Sequence, residues 1–219
     1  MPTPPALQVD TLVVSLFESN CHLLRAPGST DVLVIDPGDD APEIAAHLDH
    51  AGLQVSAYLL THGHVDHVSA LADLVARRPA PVAMHPRDAC WAFSPAAAMP
   101  PYYDAPRPPP AIDRELAEGQ LWTDAGLTYR VLETPGHSPG GVAFYFEHAG
   151  TLIAGDTLFR GSVGRADLPG ANPADLVASL KKLMALPDAT LVYCGHGPAT
   201  TIGEEKRHNP YLRSFAWAE

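Results

Sequence analysis

The most constraining feature of this 219-residue chain is the segment Thr-His-Gly-His-Val-Asp-His-Val, which begins at Thr61. It concentrates four candidate ligands, His62, His64, Asp66 and His67, in six consecutive residues. Neutral imidazole nitrogens and carboxylate oxygens are the protein ligands that suit Zn²⁺ and related divalent ions. Helical zinc motifs place two histidines four residues apart. His62 and His64 are only two apart, so the sequence predicts these ligands on a loop or at a strand end.

The residues around this segment indicate where it lies in a fold. The apolar run at 57–60 predicts a buried strand, and Gly63 permits a tight backbone turn. A helical pattern begins at Val68 and continues to residue 76. Open α/β sheets bind their ligands at the carboxyl ends of strands, which is the position predicted for this cluster.

Three further candidate ligands each lie on a glycine-containing loop that follows an apolar run predicted to be a strand. They are His137 after residues 129–132, Asp156 after residues 151–154 and His196 after residues 191–192. Asp156 would alternatively cap a helix or a turn, as aspartate often does after glycine. Seven ligands are too many for one tetrahedral zinc and suit two metals roughly 3.5 Å apart.

The order of these ligands resembles that of the metallo-β-lactamase fold superfamily. Two further segments, residues 159–170 and the tail Glu205-x-x-x-Asn209-Pro210-Tyr211, resemble short bacterial members of its glyoxalase II branch. The similarity extends over residues 12–212. It implies an α/β protein with a four-layer αββα sandwich. It also implies one domain over residues 1–219, without the C-terminal helical domain that contacts glutathione in longer members.

The pattern of predicted elements is compatible with that fold. Extended apolar stretches lie at residues 12–17, 22–25 and 32–35, and helical patterns at residues 42–51, 68–76 and 173–186. One segment, residues 94–110, contains seven prolines, which exclude a regular helix or a central strand there. It is either a stiff surface loop or a rim over the metals, from which Tyr102 and Tyr103 would contact the substrate.

The resemblance also implies how the ligands are divided between two divalent metal ions. His62, His64 and His137 would bind the first ion, and Asp66, His67 and His196 the second, with Asp156 bridging them. Zinc is the expected metal, and iron or manganese would accept the same ligands. Asp66 is also the candidate catalytic residue, because it would hold and then accept a proton.

Two close cations favour hydrolysis of an activated carbonyl, since water that bridges them ionises to hydroxide near neutral pH. A thioester needs no strong general acid, because its leaving thiol has a pKa of roughly 8.5 to 9. The expected activity is therefore of the glyoxalase II type, on S-lactoylglutathione or a related hydroxyacyl thioester. Arg165 matches the basic residue of the family near glutathione, and would alternatively pair with Asp167.

Two alternatives from the same superfamily remain open at this point. A persulfide dioxygenase would hold one Fe²⁺ by two histidines and one aspartate, His62, His137 and Asp156, with open positions for O₂ and substrate. A lactone or β-lactam hydrolase would direct the same hydroxide at another carbonyl.

The composition of the chain limits the kinds of partner that it is expected to bind. The formal net charge of −11 argues against nucleic acid, because a nuclease needs a basic face for phosphates. No apolar run is long enough to span a membrane, and the first ten residues lack the pattern of a secretory signal. Three widely separated cysteines fit a reducing cytoplasm, and Cys194 is expected to pack and not to bind metal. The expected partner is a small-molecule thioester, with a glutathione conjugate among the candidates, and the oligomeric state is left open.

Overall fold

A computed structural model of the protein describes residues 7–213. Within these residues the strands are β1 Gln8–Val14, β2 Ser19–Arg25, β3 Asp31–Ile35, β4 Gln54–Leu59, β5 Val82–Met84, β6 Arg114–Glu115, β7 Leu121–Asp124, β8 Leu127–Glu133, β9 Val142–Phe146, β10 Thr151–Gly155, β11 Leu158–Phe159, β12 Ser162–Val163, β13 Leu191–Cys194 and β14 Thr200–Thr201. The helices are α1 Ala41–His50, α2 Val65–Val68, α3 Leu71–Arg77, α4 Pro86–Ala89, α5 Pro173–Met184, α6 Ile202–His208 and α7 Pro210–Arg213.

The strands form two six-stranded sheets and one small hairpin. The first sheet has the order β1-β2-β3-β4-β5-β6, with β3 to β6 parallel. The second has the order β14-β13-β10-β9-β8-β7, in which only β10 and β13 are parallel neighbours. The hairpin pairs β11 with β12. Each large sheet is built from one half of the chain.

Strand residues alternate between two apolar layers, because side chains along a strand point to opposite faces. In β3, Leu33 and Ile35 pack against the second sheet, whereas Val32 and Val34 pack under α1 and α3. In the second sheet, Phe144 of β9 faces the first sheet. The neighbouring side chains of β9 pack under α5 to α7. Three buried apolar layers therefore separate four layers of secondary structure, which confirms the predicted αββα sandwich.

The boundaries of two predicted elements are wrong. The strand expected at 12–17 ends at Val14, because Ser15 and Glu18 adopt positive φ angles of 70° and 56° and turn the chain. The helix expected from residue 68 is divided into α2 and α3. The amide of Ser69 donates to the carbonyls of both Val65 and Gly38, which bends the chain away from a continuous helix. Among residues 7–213, no helix is both long and apolar enough to cross a membrane.

The packing of α5 generates the first testable prediction. Leu180 is completely buried between α5 and the second sheet, whereas the side chain of Leu121 is 60% exposed. Leu180→Ala is expected to lower the free energy of unfolding by about 2 to 5 kcal/mol, because it leaves a cavity in a packed layer. Leu121→Ala makes the same chemical change on the surface and is expected to cost less than about 0.5 kcal/mol. Urea unfolding followed by circular dichroism measures both, and equal losses would contradict the layer assignment.

Candidate metal centre

The metal-ligand cluster begins just after the carboxyl end of β4. His64 has an extended backbone, with φ −69° and ψ 148°, and immediately precedes α2. Residues two apart on extended backbone face the same side, so His62 and His64 point together toward one point. Asp66 and His67 do not lie on a loop as predicted, because α2 already begins at Val65 and contains both.

The histidines and carboxylates converge into three groups whose ligand atoms lie within 4.8 Å of one another, and two of these groups consist of predicted ligands alone. One group is His62, His64 and His137, with His64 Nδ1 2.9 Å from His137 Nε2. The other is Asp66, His67 and His196, in which Asp66 Oδ2 lies 3.2 Å from His196 Nε2. The family resemblance implied these two sets of three ligands, and the fold brings each set together.

Asp156 lies between the two groups. Its Oδ2 is 3.4 Å from His137 Nε2 and 3.6 Å from His196 Nε2. Its Oδ1 is 3.5 Å from His67 Nε2. One carboxylate thus contacts ligands of both groups, which is the position of a bridging ligand. Gly195 makes this position accessible, since a Cβ there would lie 2.0 Å from Asp156 Oδ1.

Four of the five histidines are fixed by a hydrogen bond at the outer ring nitrogen, Nδ1. The bonds are from His62 to Thr61 Oγ1 at 3.0 Å, from His67 to Asp36 Oδ2 at 3.1 Å, from His137 to the carbonyl of Arg165 at 2.9 Å and from His196 to the carbonyl of Phe17 at 3.0 Å. Carbonyl and carboxylate oxygens only accept, and the Thr61 hydroxyl gives its own proton to Asp36 Oδ2, so Nδ1 of each ring carries a proton and the neutral ring presents the lone pair of Nε2 to the centre. This is the usual arrangement of metal-ligating histidines.

Two of the inward-facing atoms lack a protein partner that would satisfy them. His62 Nε2 and Asp156 Oδ1 are buried without a hydrogen-bond partner among the described residues. His67 Nε2 and His196 Nε2, both acceptors in this tautomer, are only 3.3 Å apart. Unpaired buried acceptors are costly. A divalent cation in each group would satisfy them, so the residues present fit two divalent metals.

The charges of the side chains also favour a positive charge at this centre. Burial lowers the pKa of His67, but Asp66, Asp156 and Asp36 together raise it to about 10. Burial, followed by the proximity of His137, lowers the pKa of His64 to about 3. The pKa of Asp66 is lowered below its usual value, because His67 and His196 outweigh the opposing effect of burial. Asp66 is therefore charged, and the imidazole of His64 is neutral.

Asp36 is a residue of the site that the sequence reasoning missed, because Asp36-Pro37-Gly38 has the composition of a turn. Its carboxylate is buried and accepts bonds from Thr61 N at 2.7 Å, Thr61 Oγ1 at 2.5 Å and His67 Nδ1 at 3.1 Å. Its position directly after β3, beside the strand that carries the cluster, is the sequence signal that would have found it.

Asp88 of α4 was also missed, and no motif marks it. It is completely buried and accepts bonds from Gly63 N at 2.9 Å, Ser138 Oγ at 2.6 Å, Gly140 N at 2.6 Å and Trp91 Nε1 at 3.3 Å. Gly63 separates His62 from His64, and Ser138 follows His137. One carboxylate therefore fixes the relative position of the two loops that supply the first ligand group.

A cavity of about 370 Å³ opens over the centre. Its lining consists of Phe17, His64, Asp66, Met99, His137, Asp156, Phe159, Arg165, Leu168 and His196. Arg165 thus faces the candidate site, and it also forms the alternative pair with Asp167, through two bonds of 2.9 and 3.0 Å. The pair with Asp167 is therefore present, and contact of Arg165 with a glutathione moiety stays a prediction.

The two predicted substrate contacts of the proline-rich segment lie farther out. Neither Tyr102 nor Tyr103 belongs to the lining of the cavity. Their rings pack against Phe17 at centroid distances of 5.6 and 5.4 Å, and the Tyr103 hydroxyl accepts a bond from Leu16 N. Phe17 does line the cavity, so the tyrosines support its wall. Direct contact with a substrate stays a prediction.

The two segments that narrowed the resemblance form one structural unit. Glu205 Oε2 accepts bonds of 2.8 Å from both Gly161 N and Asn209 Nδ2. Asn209 Nδ2 also donates to the carbonyl of Ser162 at 2.9 Å. The tail therefore holds the β11–β12 hairpin, from which the chain continues to Arg165.

Cys194 is buried at the end of β13, and burial raises the pKa of its thiol to about 12.

The contacts of Asp88 predict a role in metal affinity. Asp88→Ala is expected to weaken metal binding about 10- to 100-fold, because residues that orient ligands typically contribute this much. Asp113→Ala is the matched control, since Asp113 also accepts a backbone bond, from Val82 N, but contacts no ligand loop. Competition with a chelator measures the affinity. Unchanged affinity in a destabilised Asp88 variant would assign this carboxylate to folding alone.

The chain is similar to known sequences over most of its length. The model of the Metallo-beta-lactamase superfamily matches residues 14–196. The probable metallo-hydrolase YqgX of Bacillus subtilis is 37% identical over 208 residues, covering 93% of this chain and 96% of the relative. The hydroxyacylglutathione hydrolase GloC of Haemophilus influenzae is 31% identical over 215 residues, covering 95% and 99%.

Solved structures give the same result. BLEG-1, a B3 metallo-β-lactamase, superposes with a TM-score of 0.88 at 34% identity, over 94% of this chain and 99% of its own. TTHA1623 in a di-iron-bound form gives 0.85 at 43% identity, over 93% and 100%. ETHE1 from Myxococcus xanthus gives 0.77 at 26% identity, over 94% and 85%. With the family model matched over most of its length and its relatives nearly end to end, the chain belongs to the metallo-β-lactamase superfamily and is a metallo-hydrolase of that family.

Proposed function

We propose that this metallo-hydrolase is a thioesterase of the glyoxalase II type, which cleaves S-lactoylglutathione or a related hydroxyacyl thioester. The observation that carries the proposal is the pair of three-ligand groups with Asp156 in contact with both. The Haemophilus influenzae relative, a hydroxyacylglutathione hydrolase, supports the choice of substrate.

The donor set determines what the centre would hold. His62, His64 and His137 would bind one divalent ion, Asp66, His67 and His196 the other, and Asp156 both. When bound, the ions would polarise the substrate carbonyl and lower the pKa of coordinated water. We propose zinc, which suits imidazole and carboxylate ligands. Iron and manganese accept the same ligands, and the related TTHA1623 was solved with two irons.

The side chains of the protein supply the rest of the chemistry. Asp66 Oδ2 lies at the cavity and would accept the proton released by the nucleophile. The lining contains no carboxylate besides the ligands Asp66 and Asp156, so it offers no separate general acid. A thiolate is a good leaving group and needs none. Arg165 would bind a carboxylate of the glutathione moiety.

The cellular setting is part of the same proposal. Glutathione thioesters belong to reducing compartments, and Cys21, Cys90 and Cys194 are all free. Cytoplasmic location and a small-molecule partner are consistent with these thiols and with the acidic charge of the chain.

A persulfide dioxygenase is the second candidate. The likeness to ETHE1 favours it, and His62, His137 and Asp156 would be sufficient for one Fe²⁺. Asp66, His67 and His196 argue against it, because a mononuclear centre would leave this buried group without a role.

The deciding experiment measures metal content and two activities on one sample. Protein purified without added metal is expected to contain about two metals per chain. It is expected to hydrolyse S-lactoylglutathione and to lose that activity when a chelator removes the metals. One iron per chain, O₂ uptake with glutathione persulfide and no thioester turnover would reject the hydrolase in favour of the dioxygenase.

The position of Arg165 predicts how the thiol moiety is recognised. Arg165→Ala is expected to raise KM for S-lactoylglutathione about three- to tenfold with little change in kcat, because a charged hydrogen bond is lost far from the scissile bond. KM for the lactoyl thioester of N-acetylcysteamine, which has no carboxylate, is expected not to change. Arg160→Ala is the matched control, since Arg160 lies on the β11–β12 hairpin just before Arg165 but lines a different cavity. Equal effects on both thioesters would contradict this role.

A further inference from the structure

A second cavity adjoins the metal centre. It has a volume of about 290 Å³ and shares His64, Met99 and Leu168 with the cavity over the ligands. Its other walls come from three segments of the chain, which are Trp91 with Ala96 to Ala98, Pro139, and Pro169 with Gly170.

The lining of this second cavity is almost entirely apolar. Apart from His64, it consists of aliphatic, proline, glycine and indole groups. The indole of Trp91 lies 5.5 Å from the His64 ring, and its Nε1 donates to Asp88 Oδ1 at 3.3 Å. The polar atom of the indole is therefore already satisfied, and the ring presents a hydrocarbon surface. Such a site binds an apolar group.

The two cavities differ in charge, which indicates how a substrate would lie across the centre. Of the described residues lining them, only Arg165 carries a guanidinium or ammonium group, and it lies in the first cavity. A thioester has two arms on either side of its carbonyl. The thiol arm of a glutathione conjugate carries carboxylates and would take the side of Arg165. The acyl arm would then extend past His64 into the apolar cavity.

The volume of the second cavity limits the length of the acyl arm. At roughly 30 Å³ per non-hydrogen atom, 290 Å³ holds up to about ten such atoms. A lactoyl group is short and carries a hydroxyl, so it would leave most of this apolar space empty. A straight acyl chain of about six to eight carbons would fill it.

We propose that the cavity formed by Trp91, Ala98, Met99, Pro139 and Leu168 is an acyl-chain site, and that the preferred substrates carry a medium-length apolar acyl group. This inference rests on the proposed function, because it assumes that an acyl carbonyl is attacked at the metal centre. Each methylene placed in the site is expected to improve binding about three- to fourfold until the cavity is filled.

The test uses the metal-loaded full-length protein and two probe series. Butanoate, hexanoate and octanoate are product analogues, and their dissociation constants, measured by isothermal titration calorimetry, are expected to fall about tenfold for each two-carbon extension. The kcat/KM values of lactoyl-, butanoyl- and hexanoylglutathione are measured in parallel, and the hexanoyl thioester is expected to exceed the lactoyl one.

Variants tie the chain-length effect to this cavity. Ala98→Trp would fill it and is expected to bring the hexanoyl-to-lactoyl ratio of kcat/KM down to about one. Ala96→Phe makes a milder change in the same wall, in case the larger residue prevents folding. Ala117→Trp is the control, because Ala117 is exposed and lines neither cavity, and it is expected to keep the wild-type ratio.

The outcomes separate this inference from the proposed function. Turnover of thioesters without a chain-length preference, or with a preference that survives both cavity variants, would overturn the acyl site and leave the thioesterase intact. Chain-length-dependent binding of the carboxylates without any thioester turnover would reject the thioesterase. That result would support the acyl site for another acyl substrate.

Discussion

The structure depends on the mutual repulsion of electron-donating atoms gathered at one point. Imidazole lone pairs and carboxylate oxygens face one another across 2.9 to 3.6 Å, largely out of contact with water. Such an arrangement is unfavourable by itself, since it removes polar groups from water without pairing them. It is maintained because the outer nitrogens are fixed by oxygens of the protein, and because cations in the centre would turn the repulsion into attraction.

The sandwich fold provides the necessary convergence. Ligands follow the carboxyl ends of β4, β8, β10 and β13, which belong to both sheets and meet at a common edge. Rigid strands fix where each ligand loop begins, and buried acceptors such as Asp88 fix where it runs. The hairpin and the proline-rich segment, which form the cavity walls, are attached to this edge by a few specific hydrogen bonds and ring contacts. The part that binds metal is thus held by the core, whereas the part that would select a substrate is held locally.

The sequence predicted the seven ligands and the layered fold because both depend on local patterns. Apolar runs identify strands, and a histidine or aspartate after such a run marks a common edge. Asp36 follows the same rule, since it comes directly after β3, but the proline and glycine after it are also typical of a turn. Asp88 followed no rule, because its four donors come from three separate segments. The division of α2 from α3 also depended on a distant contact, the bond from Ser69 to Gly38. Cavity walls are likewise products of tertiary packing, so the apolar site beside His64 had no sequence signal.

The allocation of strands to sheets has a mechanical consequence. The first sheet is built from residues 8–115 and the second from residues 121–201, so each is nearly continuous in sequence. His62, His64, Asp66 and His67 come from the first half, whereas His137, Asp156 and His196 come from the second. Metal ions bound by ligands from both sets would link the two halves of the chain along the boundary, or seam, between the two sheets. Their binding energy would add to the cohesion of the two halves, since only the joined state presents the full ligand set. Loss of metal would therefore loosen the molecule first along this seam, before either half lost its own core.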